Sequence, residues 1–269
     1  MKYVVTGGAG FIGSHLVDEL LDSGHDVLVI DDLSAGASEN LRVDGRCRLW
    51  ARKVQDTEIR SDEGIDGVFH LAAQSSVPLS VEDFFKSSRN NVLSTLKVFD
   101  WARKLSVPVV YASSSAVYGE LPEGDDTSDA THLISPYAVD KLIMEQYAAM
   151  AWELYGVPSV GLRFFNVYGP RQDPNSPYSG VISVFIKRVG SGDVVTVNGG
   201  YQTRDFVYVV DAVRIAMRSM SILAAKPLCE RVNVCTGRAM TISALLDAVV
   251  DIIGKTPDVE NRGLPPGDP

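Results

Sequence analysis

The chain has 269 residues, 45% of them hydrophobic and 22% charged, the mixture of a folded domain and not of a disordered or collagen-like chain. At that length roughly three quarters of the unfolded surface can be buried, so no disulfide framework is needed. Lys and Arg number 25 against 34 Asp and Glu, a formal net charge of −9, which makes nucleic acid and anionic membrane surfaces poor partners. Cys47, Cys229 and Cys235 are odd in number and form no CxxC. With His15, His25, His70 and His132 scattered, they predict no metal site and a reduced, cytoplasmic protein. No run reaches about 18 apolar residues and Met1-Lys2 leads straight into a strand-like run, so neither a membrane span nor a signal peptide is expected.

In chain order, strands are predicted at Tyr3–Thr6, Val27–Ile30, Val68–Leu71, Val107–Ala112 and Val160–Phe165, with helices at Ile12–Ser23, Asn90–Leu105 and Tyr137–Tyr155. The strands are apolar throughout, with no period of two. Alternating with helices, they predict an α/β fold, a Rossmann-type doubly wound parallel sheet covered on both faces. After Gly169 the pattern loosens at Pro170, Pro174, Pro177 and Gly180, then resumes with short strands at Val194–Asn198 and Phe206–Val210. Residues 1–169 are therefore expected to form a dinucleotide-binding domain, and 170–269 a smaller substrate-binding lobe built onto the sheet.

The first strand runs into Gly7-Gly-Ala-Gly10-Phe-Ile-Gly13, and Ile12, Leu16 and Leu20 then share one helical face. GxxGxxG at a strand-to-helix turn lets backbone approach a pyrophosphate at a helix N-terminus. Asp31 ends the second strand, 18 residues after Gly13, where a carboxylate accepts from an adenosine ribose hydroxyl and repels a ribose phosphate. That favours NAD over NADP. Ser135-Pro136 reads as an N-cap and first helical residue. Tyr137 and Lys141 follow at i, i+4 on one helix face, and the ammonium is expected to lower the phenol's pKa toward that of a useful base. A serine from Ser113-Ser114-Ser115, at the carboxyl end of a strand, would face the same crevice.

These residues resemble the extended short-chain dehydrogenase/reductase family, in its nucleotide-sugar epimerase/dehydratase branch. The likeness is carried by TGGAGFIG, DDLSAG, FHLAAQ, SSSAVYG, SPYAVDK, LRFFNVYGPRQDP and QTRDFVYVVDA, from Val4 to about Asp268. It implies that Gly7, Gly10, Phe11, Ile12, Gly13, Asp31 and Asp32 hold NAD, with Ala72 and Asn91 on its far side. Ser114 matches the family's catalytic serine or threonine, Tyr137 its base, and Lys141 the partner of that base and a ligand of the nicotinamide ribose. Asn166, Val181 and Arg204 match positions that, with Ser114, grip a nucleotide sugar. Three departures stand out. Lys53 replaces an acid expected at the adenine. Pro265-Pro-Gly-Asp268 replaces an Arg-x-Gly-Asp, leaving Arg262 as a possible diphosphate contact. The chain also stops where relatives continue, so part of the sugar pocket is expected to be missing.

The branch's chemistry divides just after Ser114. Dehydratases carry an Asp-Glu pair there and sugar-acid decarboxylases usually a Glu; this chain has Ser115-Ala116, which supplies neither acid nor base. The resemblance then implies 4-epimerisation of a UDP-sugar, glucose/galactose or their N-acetyl forms. The alternatives are another NAD-dependent nucleotide-sugar oxidoreductase or dehydratase, and a non-catalytic NAD-binding protein on the same fold. The segments Asn90–Leu105 and Tyr137–Ala151 are apolar on nearly every side, which predicts a homodimer through four helices, as in relatives of the family.

Overall fold

A computed structural model of the protein describes residues 1–121, 123–176 and 180–264. Pro177 and the Pro265–Asp268 stretch lie outside the described residues. The first half contains β1 (Lys2–Thr6), α1 (Phe11–Asp22), β2 (Asp26–Asp31), β3 (Cys47–Ala51), β4 (Gly67–His70), α2 (Val77–Glu82), α3 (Phe84–Leu105) and β5 (Val109–Ser114). Then come α4 (Pro136–Tyr155), β6 (Ser159–Phe164), β7 (Asn166–Tyr168), α5 (Val181–Ser191), β8 (Val195–Asn198) and β9 (Thr203–Tyr208). The described chain ends with α6 (Val209–Ala225), β10 (Cys229–Val234), β11 (Ala239–Thr241), α7 (Ile242–Ile253) and β12 (Val259–Arg262). Among the described residues no helix is long and apolar enough to cross a membrane.

Seven strands form one parallel sheet in the order β10-β6-β5-β4-β1-β2-β3. Its central strands are apolar at every position because both faces are covered. Val5, Val27, Val29, Phe69, Val110 and Leu162 pack under α1 and α6. Val4, Leu28, Ile30, Val68, Val109 and Tyr111 alternate with them and pack under α3 and α4. The order of connection reverses between β1 and β4, and it is beyond the carboxyl ends of strands at such a switch that ligands bind.

The segments expected to make up 170–269 do not all stay together. Strand β10 pairs with β6 at the edge of the seven-stranded sheet, and α6 packs on α1 beneath that sheet. What stands apart from the sheet is a third core, in which Phe185 and Val189 of α5 and Val195 and Val197 of β8 pack against Leu245, Leu246 and Val249 of α7. Helix α3 starts at Phe84, a turn and a half before the expected Asn90, because Asp83 caps it by accepting from the Lys86 amide at 3.0 Å. Helix α4 starts as expected: Ser135 accepts from the Ala138 amide at 3.2 Å and Pro136 is its first residue.

Candidate active site

A cleft of about 1080 Å³ opens over the carboxyl ends of β1, β2, β4 and β5. It exceeds the ~300–1,000 Å³ typical of a single small-ligand pocket. At one end the chain turns from β1 into α1. Gly7 has φ +70, and a Cβ there would lie 2.7 Å from the Ala72 amide nitrogen; a Cβ on Gly13 would lie 2.1 Å from the Gly7 carbonyl oxygen. Only glycine lets these three segments touch. Helix α1 begins at Gly10 with no side chain capping it, so its first amides face the cleft.

Asp31 is buried at the end of β2, where its carboxylate accepts from the Ala9 amide at 3.0 Å and the Leu33 amide at 2.9 Å. Burial raises its pKa; the amides of Leu33 and Ala9 oppose that rise and the charge of Asp32 adds to it. Asp32 is exposed on the cleft rim, where it accepts from the Ser34 amide and hydroxyl. Phe11, Ile12, Ala72 and Lys53 also line the cleft. A glycine cradle that a single Cβ would fill, an uncapped helix start and a carboxylate at the second strand's end together fit NAD.

At the other end stand Ser114, Tyr137 and Lys141, all buried and all on the cleft wall. Ser114 ends β5 and accepts from the Ala116 amide at 3.1 Å; its hydroxyl is near enough to Tyr137 to favour the phenolate. Tyr137 opens α4, its amide donating to Ser80 Oγ of α2 at 3.2 Å. One turn on, Lys141 Nζ donates to the Ala112 carbonyl at 2.7 Å and lies 5.5 Å from the Tyr137 ring centre. Burial pushes the Tyr137 pKa up to about 12 against the Ser114 hydroxyl, and the Asp140 charge adds to the rise. Burial also brings Lys141 down to about 8, with Asp140 opposing. The expectation that the phenol stands below its ordinary value is thus corrected: loss of water around Tyr137 sets the direction of the shift, and it is upward. Below the pair, His70 is fully buried, with Nδ1 2.7 Å from Thr6 Oγ1, and burial together with the Lys141 charge brings it to about 3. It is neutral.

The remaining expected residues are placed variously. Asn166 of β7 and Val181, the first residue of α5, line the same cleft as Tyr137. Asn91 is buried behind the wall: its carbonyl accepts from the Gln74 amide at 2.8 Å, and its amide group donates to the Gln74 carbonyl at 3.1 Å and to Asp140 at 2.9 Å. It holds the loop after β4 against α4 and is not on the wall. Arg204 lies on β9 opposite Met240 of β11 and donates to the Thr203 carbonyl, away from the cleft lining. Arg262 is exposed on β12 and pairs with Glu260 at 2.9 Å. Gln74, Leu79, Lys86, Arg171 and Gln172 line the cleft without having been singled out from sequence. Arg171 sits within the quoted GPRQDP run in a left-handed conformation (φ 66) and bridges to Asp18 of α1 at 2.6 Å.

A family model for the NAD dependent epimerase/dehydratase family matches residues 3–235. The chain belongs to that family. A putative UDP-glucose 4-epimerase of Methanocaldococcus jannaschii is 36% identical over 260 residues, 93% of this chain and 82% of the relative. Among solved structures, a UDP-N-acetylglucosamine 4-epimerase from Methanobrevibacter ruminantium, in complex with UDP-N-acetylmuramic acid, superposes with a TM-score of 0.91 at 38% identity, covering 99% of this chain and 86% of that one. The Thermus thermophilus UDP-glucose 4-epimerase in complex with NAD gives a TM-score of 0.83 at 34% identity, covering 99% and 91%. Family and fold agree with the geometry of the cleft: a dinucleotide end, a Ser-Tyr-Lys end, and room beside them.

Proposed function

We propose that this protein is a NAD-dependent epimerase that inverts C4 of a UDP-linked hexose. The observation that carries this reading is the convergence of Ser114, Tyr137 and Lys141 on a cleft whose other end is the Gly7–Gly13 turn and Asp31. Ser115 and Ala116 follow Ser114 where dehydration or decarboxylation would need an acid or a base. Relatives named UDP-glucose and UDP-N-acetylglucosamine 4-epimerases support the same reading.

Gly7, Gly10, Phe11, Ile12, Gly13, Asp31 and Asp32 would hold NAD, with Ala72 on its far side. Held there, NAD would supply the hydride acceptor and donor that C4 inversion through a 4-keto sugar requires. Tyr137 takes the O4 proton at its phenolic oxygen and later gives it back. Lys141 keeps positive charge beside that oxygen, and Ser114 orients the O4 hydroxyl by hydrogen bonding. Asn166 and Val181 grip the nucleotide, joined by Arg204 from β9, whose Phe206 already lines the cleft. Of these contacts, Val181 comes from the α5, β8 and α7 core.

We further place the protein in the cytoplasm as a homodimer. The outer faces of α3 and α4 support a dimer: Phe84, Phe85, Leu93, Val139, Met150 and Leu154 are exposed there. The test of function is incubation of purified protein with a panel of UDP-hexoses and no added cofactor, with products separated by chromatography. Interconversion of a 4-epimeric pair is expected. A dehydrated or decarboxylated product, or no turnover of any UDP-sugar, defeats the reading.

A further inference from the structure

Beneath the Ser-Tyr-Lys group lies a second polar group for which the proposed chemistry has no direct use. Glu145 of α4 and Arg163 of β6 form an ion pair with side chains 3% and 1% exposed. The pairing is bidentate: Nε donates to Oε1 at 2.8 Å and a terminal nitrogen donates to Oε2 at 2.6 Å. Ser113 Oγ donates to the same Oε1 at 2.5 Å. The other terminal nitrogen of Arg163 donates to the Tyr118 hydroxyl at 2.8 Å, and that hydroxyl donates to Asn233 of β10 at 2.7 Å.

The placement links both halves of the catalytic group. Ser113 and Arg163 are direct partners in the β5–β6 register, so two adjacent strands grip one carboxylate. Ser113 immediately precedes Ser114. Glu145 lies one helical turn beyond Lys141 and two beyond Tyr137, on the same face of α4. A buried ion pair is no better for stability than well-packed hydrophobic residues of the same size, because desolvation cancels most of its attraction. What the fork-to-carboxylate geometry adds is direction: it fixes α4 along and about its axis relative to the end of β5.

We propose that Glu145, Arg163 and Ser113 are positioning residues that set the distance between Ser114 and the Tyr137–Lys141 face of α4. The clamp's effect on rate rests on the epimerase reading; its effect on geometry does not. A displacement of about 1 Å at such a site costs up to ~10²-fold in rate.

The test replaces the pair by hydrophobic residues of similar size, Glu145→Leu with Arg163→Met, which keeps the core filled and leaves no lone buried charge. In protein labelled with ¹³C at tyrosine Cζ, the Tyr137 resonance, assigned by its absence in Tyr137→Phe, reports the surroundings of the phenol, Ser114 among them, without substrate. We expect a folded protein in which that resonance moves, NAD affinity and KM stay within twofold, and kcat falls ten- to hundredfold. If the double variant does not fold, Ser113→Ala, which removes one hydrogen bond and keeps the ion pair, is read by the same resonance. An unmoved Tyr137 resonance in the folded variant overturns the clamp whatever the rate does. A wild-type protein that turns over no UDP-sugar ends the epimerase reading and leaves the resonance as the test of the clamp.

Discussion

Lys141 is the group through which the proposed chemistry is most exposed to pH. Its ammonium lies 5.5 Å from the Tyr137 ring centre, and both side chains are buried in the cleft wall. With an effective dielectric of ~20, a unit charge at that distance stabilises a phenolate by about 3 kcal/mol, or about two pH units on its titration. Tyr137 starts from about 12, so the loss of this contribution cannot be absorbed. Lys141 itself titrates near 8. Below that value it is charged and supports the phenolate; as pH rises through 8 it neutralises and the support is withdrawn. The wild-type kcat at saturating NAD and substrate is therefore expected to rise with pH up to about 8 and then level off, because above 8 each gain in phenolate is offset by loss of the ammonium. In Lys141→Met the break at 8 disappears and the rise continues past it, while kcat at pH 7 drops about 100-fold. A variant profile parallel to the wild type, lower but with the same inflections, would refute the electrostatic role.

Tyr137→Phe should abolish turnover while calorimetry still shows nucleotide-sugar binding; retention of more than a few per cent of kcat is incompatible with Tyr137 as the base. Lys53 lines the cleft; if it stands at the adenine, as the family resemblance implies, Lys53→Asp is expected to tighten NAD by up to about tenfold. NADP should bind more weakly than NAD because Asp31 opposes the added phosphate, and equal affinities would remove that assignment. His70 titrates near 3 in the fold against an ordinary 6.5, so the unfolded chain takes up a proton that the folded one refuses. The stability it contributes is complete above 6.5 and is lost as pH falls toward 3, about 2 kcal/mol of it between pH 7 and 5. Urea unfolding of His70→Gln should show a shallower pH slope than wild type, and identical slopes would contradict this. Light scattering at micromolar concentration should give twice the chain mass; a monomer would free the α3–α4 face for another role.

The central strands were readable because burial on both faces leaves them apolar at every position, as in Val4-Val5 and Val109-Val110. The two edges were not. Cys47-Arg-Leu-Trp-Ala51 and Cys229-Glu-Arg-Val-Asn-Val234 each have one neighbour only, so charged residues interrupt the pattern that marks a buried strand. Missing β10 also placed it in the smaller lobe, although it closes the main sheet. In the site, what was legible was local: the glycine turn and its helix, the i, i+4 pair, the serine at a strand end. Asn91 shows the limit, since its sequence position identifies the neighbourhood but not that its amide is spent on Gln74 and Asp140. The pKa of Tyr137 shows another. A nearby lysine can be read from spacing, whereas the depth of burial that sets the direction of the shift comes from α2 and β5, distant in sequence.

An acidic chain proposed to hold two diphosphates poses an electrostatic problem that side chains do not solve. The cleft lining carries Lys53, Lys86, Lys141 and Arg171, but also Asp31, Asp32, Glu82, Asp83 and Asp173. Arg171 is already committed to Asp18, and Lys141 to the Ala112 carbonyl. The backbone offers what the side chains lack. Among the described residues, α2, α3, α4 and α7 are each capped by a side chain, from Ser76, Asp83, Ser135 and Thr241. Helices α1, α5 and α6 are not, and two of these three open on the cleft, through Gly10 and Gly180. Both N-caps are glycine, which leaves the first-turn amides accessible and lets a ligand approach the backbone closely. One uncapped start lies at the end proposed for NAD and the other at the wall proposed for the UDP-sugar. Positive potential supplied by peptide dipoles carries no proton and does not titrate, so it persists through the pH range over which Lys141 loses its charge. Binding and chemistry are thereby assigned to different groups, which is why KM and kcat are expected to respond to different substitutions.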